Sequence, residues 1–295
     1  MGDAEGSYFP NWSVDGIDWP LREWSDFLEA GRHRWHIQRR GKGPKILFLH
    51  GTGAATHSWA PVARILADQF EVLVLDLPGH GFTRSTGYAA PTLPGVAGAV
   101  SGLLQEAAFF PDAIVGHSAG AAIMLQMALD RHVRPRISIG VNSALQPFPG
   151  PARYIFPAAA KLLFLNPFAP YLFAQRGGTE GRVRRLIEGT GSHLKPDQIA
   201  PYATLLRRPG HIEGALRLMA NWDLSTLQQR LPEVDAAVHL IASANDRAVP
   251  PADLEENRQL VPGATATLLP DYGHLAHEEA PAEFAALLRR MVDGA

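Results

Sequence analysis

Along most of the chain, short apolar runs alternate with longer segments whose apolar residues recur at helical spacing. His33-Arg34-Trp35-His36-Ile37-Gln38 alternates with period two and predicts an early antiparallel strand. Lys45-Ile46-Leu47-Phe48-Leu49 and Glu71-Val72-Leu73-Val74-Leu75 are short apolar runs, as expected of strands buried on both faces. A helix pattern lies between them, roughly Trp59 to Asp68, and another runs from about Leu93 to Ala108. Ala113-Ile114-Val115 and Ile137 to Val141 predict two more strands, and Val238 to Ala242 and Ala264 to Leu269 two late ones. The last helix shows Phe284, Leu287, Leu288 and Met291, an i, i+3, i+4, i+7 face. Such alternation implies a mostly parallel sheet with helices on both faces.

Between about Gln146 and Arg230 the alternation stops. This stretch is rich in proline and aromatics and carries the basic cluster Arg182-Val183-Arg184-Arg185. It predicts a helical lid, 147–230, inserted between core segments 1–146 and 231–295 and lying over the sheet's C-terminal edge. Within it Ile155 to Ala174 is mostly apolar, but Pro157, Pro167, Pro170, Lys161 and Asn166 interrupt it, which argues against a membrane-spanning helix.

Composition narrows the function classes. The chain is 46% hydrophobic and 19% charged, with net charge −2, so nothing electrostatic favours nucleic acid or an acidic membrane surface. Having no cysteine removes disulfides, thiolate nucleophiles and Cys-ligated metals together, and fits a cytoplasmic protein. Met1-Gly2-Asp3-Ala4-Glu5-Gly6 is acidic and polar, unlike a signal peptide.

The chemistry is concentrated in Gly116-His117-Ser118-Ala119-Gly120, a Gly-x-Ser-x-Gly pentapeptide between a strand-like run and a helix-compatible one, Ala121 to Leu129. A serine on so sharp a turn sits in strained backbone, and only small flanking residues avoid a clash. Such a serine needs a base and a carboxylate to orient it. Asp246 follows the strand Val238 to Ala242, and His274 follows the next one, giving the chain order Ser, acid, His. The catalytic set is therefore Ser118, Asp246 and His274, with His277 expected to serve packing. His50-Gly51-Thr52-Gly53 ends the strand Ile46 to Leu49, which assigns an oxyanion hole to the N–H groups of Thr52 and Ala119. His50 is expected to brace its loop, and Asp76-Leu77-Pro78-Gly79-His80-Gly81-Phe82 to form a structural turn. His274-x-x-His277-Glu278 lacks the spacing of a helical metal motif, and neither a dinucleotide fingerprint nor a phosphate-binding loop is present, so no metal or cofactor is expected. His117 and the lid aromatics Phe156, Phe164, Phe168 and Tyr171 are the candidate substrate contacts. About half of the lid's large apolar residues are expected to pack among themselves, the rest to line a cavity above Ser118.

With these residues in view, the chain resembles the α/β-hydrolase superfamily. That implies an α/β-hydrolase fold, with a mostly parallel eight-stranded sheet and a helical cap inserted after the sixth strand. Serine at the elbow departs from the dehalogenase and epoxide-hydrolase branches, which use a carboxylate. Trp19-Pro20 and the segments 50–59, 76–83, 116–123, 187–194, 209–224 and 273–281 also resemble the magnesium-chelatase accessory proteins of bacteriochlorophyll-making bacteria. The match includes the insertion, where hydrolase families diverge. It implies a place in photosynthetic pigment synthesis, with a porphyrin or its ester as candidate substrate and magnesium-chelatase subunits as candidate partners. One departure is Ala242-Ser243-Ala244, where hydrolases often carry glycine before the acid.

Three readings stay open at this point. The leading one is a serine hydrolase acting on an ester, or a related carbonyl compound, of a bulky apolar molecule. The others are an accessory protein that binds a porphyrin without turnover, and another reaction of the fold, such as C–C cleavage or haloperoxidase-type chemistry.

Overall fold

The structure is a computed structural model, and it describes residues 8–87, 90–146, 166 and 168–295. Eight strands form one sheet: β1 (Ser25–Ala30), β2 (His33–Arg40), β3 (Lys45–Leu49), β4 (Glu71–Leu75), β5 (Ala113–His117), β6 (Ile137–Val141), β7 (Val238–Ser243) and β8 (Thr265–Leu269). Their spatial order is β1-β2-β4-β3-β5-β6-β7-β8, with a two-residue segment, Arg84–Ser85, pairing with β2 off that path. The β1–β2 and β2–β4 pairings are antiparallel and all later ones are parallel.

The unbroken apolar runs have the predicted cause. Ile46 and Phe48 of β3 join one core with Val72, Val74 and Val115, under the helices Thr56–Leu66 and Pro281–Asp293. Leu47 and Leu49 face the other side, with Leu73, Leu75 and Ile114, under the helices Leu93–Glu106 and Ala119–Leu129. Adjacent residues of one strand thus fill two separate cores, and period-two polarity is lost because both faces are dry. β1 escaped the sequence reading for the opposite reason. It is the outer strand of a hairpin and only Ala30 is buried, so its pattern carries little hydrophobic signal.

The cap helices enter between β6 and β7. Described there are Ala169–Gly177, Glu180–Gly189, Pro196–Leu206, Pro209–Ala220 and Ser225–Arg230. Val183, Ile187, Ile199 and Tyr202 meet Ala54 and Leu275 of the sheet domain in a separate apolar seam. Leu218, Leu224 and Leu227, by contrast, belong to the larger core beneath the sheet, so the last part of the insertion is anchored in the central layer. No described helix is long and apolar enough to cross a membrane. The candidate contacts Phe156 and Phe164, and much of the run 155–174, lie outside the described residues.

Candidate active site

The turn at Ser118 is built by close backbone approach. Ser118 has φ 52° and ψ −117°, between the end of β5 and the helix Ala119–Leu129. A Cβ on Gly116 would lie 2.4 Å from the carbonyl oxygen of Gly120, and one on Gly120 would lie 2.4 Å from that of Leu49. Glycine is therefore required on both sides, for space alone. In the described stretch from Ala113 to Met127, Ser118 alone is not buried. The strain and the exposure coincide at one hydroxyl.

The other two residues of the ordered set meet at the same edge of the sheet. Asp246 and His274 follow β7 and β8, and His274 Nδ1 donates to Asp246 Oδ2 at 2.7 Å. Asp246 Oδ1 accepts from the backbone N–H groups of Ala248 (2.7 Å) and Val249 (2.9 Å). The carboxylate is thus fixed at both oxygens and has only one way to face the imidazole. Ala242-Ser243-Ala244 accommodates this without glycine, since Ser243 N–H donates to Asn142 Oδ1 and Ala244 N–H to the carbonyl of Leu269. Among the described residues no hydrogen bond joins Ser118 Oγ to His274. Catalytic contacts of ligand-free sites are commonly loose.

The loop after β3 lies directly against the elbow, where a Cβ on Gly51 would sit 3.0 Å from Ser118 Cβ. Neither Thr52 N–H nor Ala119 N–H is used in a hydrogen bond among the described residues. His50 braces this loop, as its residue type and place suggested: Nδ1 donates to Gly51 O at 2.7 Å and Nε2 accepts from Leu77 N–H at 2.9 Å. Asp76 is a structural hub. It accepts from Thr56 N–H, Phe82 N–H and His36 Nδ1. Burial raises its pKa, yet the His36 pairing and these donors more than offset that and hold it below the usual carboxylate range.

The histidines separate cleanly. His277 is fully buried, meets Ser58 Oγ at 2.9 Å and packs on Trp59 with ring centroids 4.1 Å apart. Burial depresses its pKa to about 3, with His274 and His57 adding to the effect, so it is a neutral packing group. His117 is not the substrate contact that its place beside Ser118 suggests, since the structure buries it beneath the dyad. Its Nε2 donates to the His274 carbonyl at 2.9 Å, and burial holds its pKa well below the ordinary value. It supports the His274 backbone. Phe168 and Tyr171 are exposed on the cap, at 70% and 49%, and Tyr171 packs against Tyr8.

Two supports had no sequence signature. Asn142, just past β6 with φ 45°, donates to the His274 carbonyl at 2.8 Å and to the Gly273 carbonyl at 3.2 Å. His211, on a cap helix, accepts from Gly81 N–H through Nδ1 and donates to the Gly53 carbonyl through Nε2, each at 3.1 Å. It ties the cap to both glycine turns at the strand ends. Neither contact has a local pattern; each depends on chain segments more than 100 residues apart.

Comparison with known proteins fits this geometry. Residues 46–287 match the alpha/beta hydrolase family. The chain belongs to that family. It is 37% identical over 279 residues to the magnesium-chelatase 30 kDa subunit of Rhodobacter capsulatus, covering 94% of this chain and 97% of the relative. A pimeloyl-[acyl-carrier protein] methyl ester esterase of Stenotrophomonas maltophilia is 30% identical, with 87% and 96% covered. The fold is shared with the enol-lactonase of Burkholderia xenovorans, at TM-score 0.74 and 19% identity, with 91% and 100% covered.

Proposed function

We propose that the chain is a serine-nucleophile hydrolase acting on an ester, or a related carbonyl, of a bulky apolar molecule, in bacteriochlorophyll biosynthesis beside magnesium chelatase. The observation that carries it is the convergence at one sheet edge of the strained Ser118 turn and the 2.7 Å bond between His274 and Asp246. Ser118 Oγ attacks the carbonyl carbon while His274 Nε2 takes its proton. Asp246 keeps the imidazole in the Nδ1–H tautomer and stabilises the imidazolium. The unused N–H groups of Thr52 and Ala119 receive the oxyanion, a charge that exists only after attack begins. The imidazolium then protonates the departing alcohol, leaving an acyl-Ser118. A water, deprotonated by His274, hydrolyses it and restores the hydroxyl. Specificity falls to the cap, and Arg182 and Arg185 on its helix Glu180–Gly189 are the cations for propionate groups.

The pathway assignment rests on the resemblance to the Rhodobacter capsulatus relative along nearly the whole chain, cap included. That same similarity favours a second reading, in which the site binds a tetrapyrrole without turning it over. Titration with protoporphyrin IX, its magnesium complex and a long-chain acyl ester, followed by tryptophan quenching, separates the two. Saturable tetrapyrrole binding together with ester turnover supports the proposal. Tetrapyrrole binding without turnover selects the accessory reading, and binding of the acyl ester alone removes the pigment and leaves a lipid-type esterase.

A further inference from the structure

The cap helix Glu180–Gly189 ends in a turn, Thr190-Gly191-Ser192, that reaches down to the sheet edge. It touches the neighbours of both members of the dyad. The Thr190 carbonyl accepts from the N–H of Arg247, the residue after Asp246, at 3.0 Å. Ser192 Oγ accepts from the N–H of Leu275, the residue after His274, at 2.8 Å. On the preceding residues the fit is steric. A Cβ on Gly191, whose φ is +87°, would lie 1.9 Å from the carbonyl oxygen of Asn245. One on Gly273 would lie 2.3 Å from the carbonyl carbon of Gly191. The cap turn is therefore wedged between the acid loop and the base loop, one residue either side of Asp246 and of His274.

Besides the His274–Asp246 bond itself, Asn245 N–H donates to the Tyr272 carbonyl at 3.0 Å between the two loops that this turn spans. A second cap contact holds the chain just beyond. Tyr202 OH donates to Glu278 Oε1 at 2.6 Å, and Gln198 Nε2 to the Glu278 carbonyl at 2.5 Å. Ser192 itself is completely buried, so its hydroxyl is available to no ligand and faces only the base loop.

We infer that the cap turn Thr190-Gly191-Ser192 is a positioning device for the Asp246–His274 pair, with Ser192 as the positioning residue for His274. The inference rests on the proposed roles of Ser118, Asp246 and His274, and it gives the cap a second task besides covering substrate. A cap that is not seated leaves Leu275 N–H without its acceptor and lets the His274 loop drift from the geometry that Asp246 imposes. Chemistry is thereby made conditional on cap placement, so a substrate that lifts the cap turns over slowly even when it binds.

Ser192→Ala and Ser192→Thr test this, with a short activated ester as substrate and kcat referred to sites titrated by the acyl-enzyme burst, so that unfolded protein does not count. Ser192→Ala should lower both kcat and the rate of Ser118 phosphonylation by a fluorophosphonate about 10- to 100-fold, the scale of a displaced catalytic group. KM should stay within about twofold, because no substrate contact is lost. Ser192→Thr, which keeps the acceptor oxygen, should recover most of kcat. Wild-type kcat and phosphonylation in Ser192→Ala overturn the inference, as does a loss carried by KM alone or one that Ser192→Thr reproduces in full. Undiminished turnover in Ser118→Ala would remove the nucleophile reading itself, which no outcome at Ser192 can do.

Discussion

Asn142→Ala should destabilise the protein by about 3–7 kcal/mol, a figure built from bonds lost and backbone strain. The Asn142 side chain is 1% exposed and makes four hydrogen bonds. Alanine removes all of them. The His274 carbonyl keeps a donor in His117 Nε2, but Ser243 N–H and the Gly273 carbonyl are left buried without their Asn142 partners. Each such group costs about 1–3 kcal/mol. Asparagine also tolerates the left-handed backbone at φ 45°, where alanine adds about 1 kcal/mol. At this chain length the melting temperature should fall by roughly 10 °C. Asn142→Gly loses the same bonds but fits the backbone, so it should recover about 1 kcal/mol of the loss. Urea denaturation of the three proteins measures both parts. An Asn142→Ala protein melting within about 2 °C of wild type, less than 1 kcal/mol on this scale, refutes the polar bookkeeping. Equal stabilities of the alanine and glycine variants refute the strain term alone.

Gly116→Ala should abolish soluble folded protein or cost more than about 3 kcal/mol, since its Cβ meets backbone oxygen at 2.4 Å and neither side can rotate away; a normal melting curve would contradict the packing described. Glu278 is buried, which pushes its carboxyl up to about 8 although Ser58 and Tyr202 hydroxyls donate to it. Between the ordinary value of 4.5 and about 8 the folded state holds a proton that the unfolded state releases, so this group's stabilisation declines as pH rises through that window. Glu278→Gln, which keeps the shared acceptor, should gain stability over wild type at pH 8–9 and match it near pH 4, and parallel melting-versus-pH curves would contradict this. His57 and His277, each depressed to about 3, and His211, to about 4, act in the opposite sense. Burial keeps them neutral when folded, as it does His80 and His117, both held well below the ordinary value, so stability is present above pH 6.5 and is lost as pH falls toward 3–4; calorimetry in two buffers should show at least about five protons taken up on unfolding near pH 5, offset by about one released from Glu278.

The central strands were legible because they are buried on both faces: Ile46 to Leu49 and Val72 to Leu75 leave no polar position to misread. The Ser118 turn was legible because a strained turn restricts its neighbours, and Gly116 and Gly120 are the trace of that restriction. The supports were not. Asn142, Ser192 and His211 act through contacts across long sequence separations, and a polar residue after a strand or in a cap reads like any solvated one. His117 misled for a related reason. Adjacency to Ser118 in sequence suggested the substrate side, whereas the alternation of β5 turns its ring inward, beneath His274. The cap aromatics were the weakest reading, since helical spacing cannot tell a cavity wall from an outer surface, and Phe168 and Tyr171 are exposed.

The proposed function requires Ser118 to be a nucleophile activated by His274. Its most direct test is fluorophosphonate labelling with the modified residue mapped by peptide mass spectrometry, in wild type, Ser118→Ala, His274→Ala and His277→Ala. A single adduct on Ser118 is expected, none in Ser118→Ala, labelling slowed by about 10³-fold or more in His274→Ala, on the scale of losing a triad member, and labelling close to wild type in folded His277→Ala. An adduct that persists in Ser118→Ala, or labelling that depends on His277 and not on His274, contradicts it.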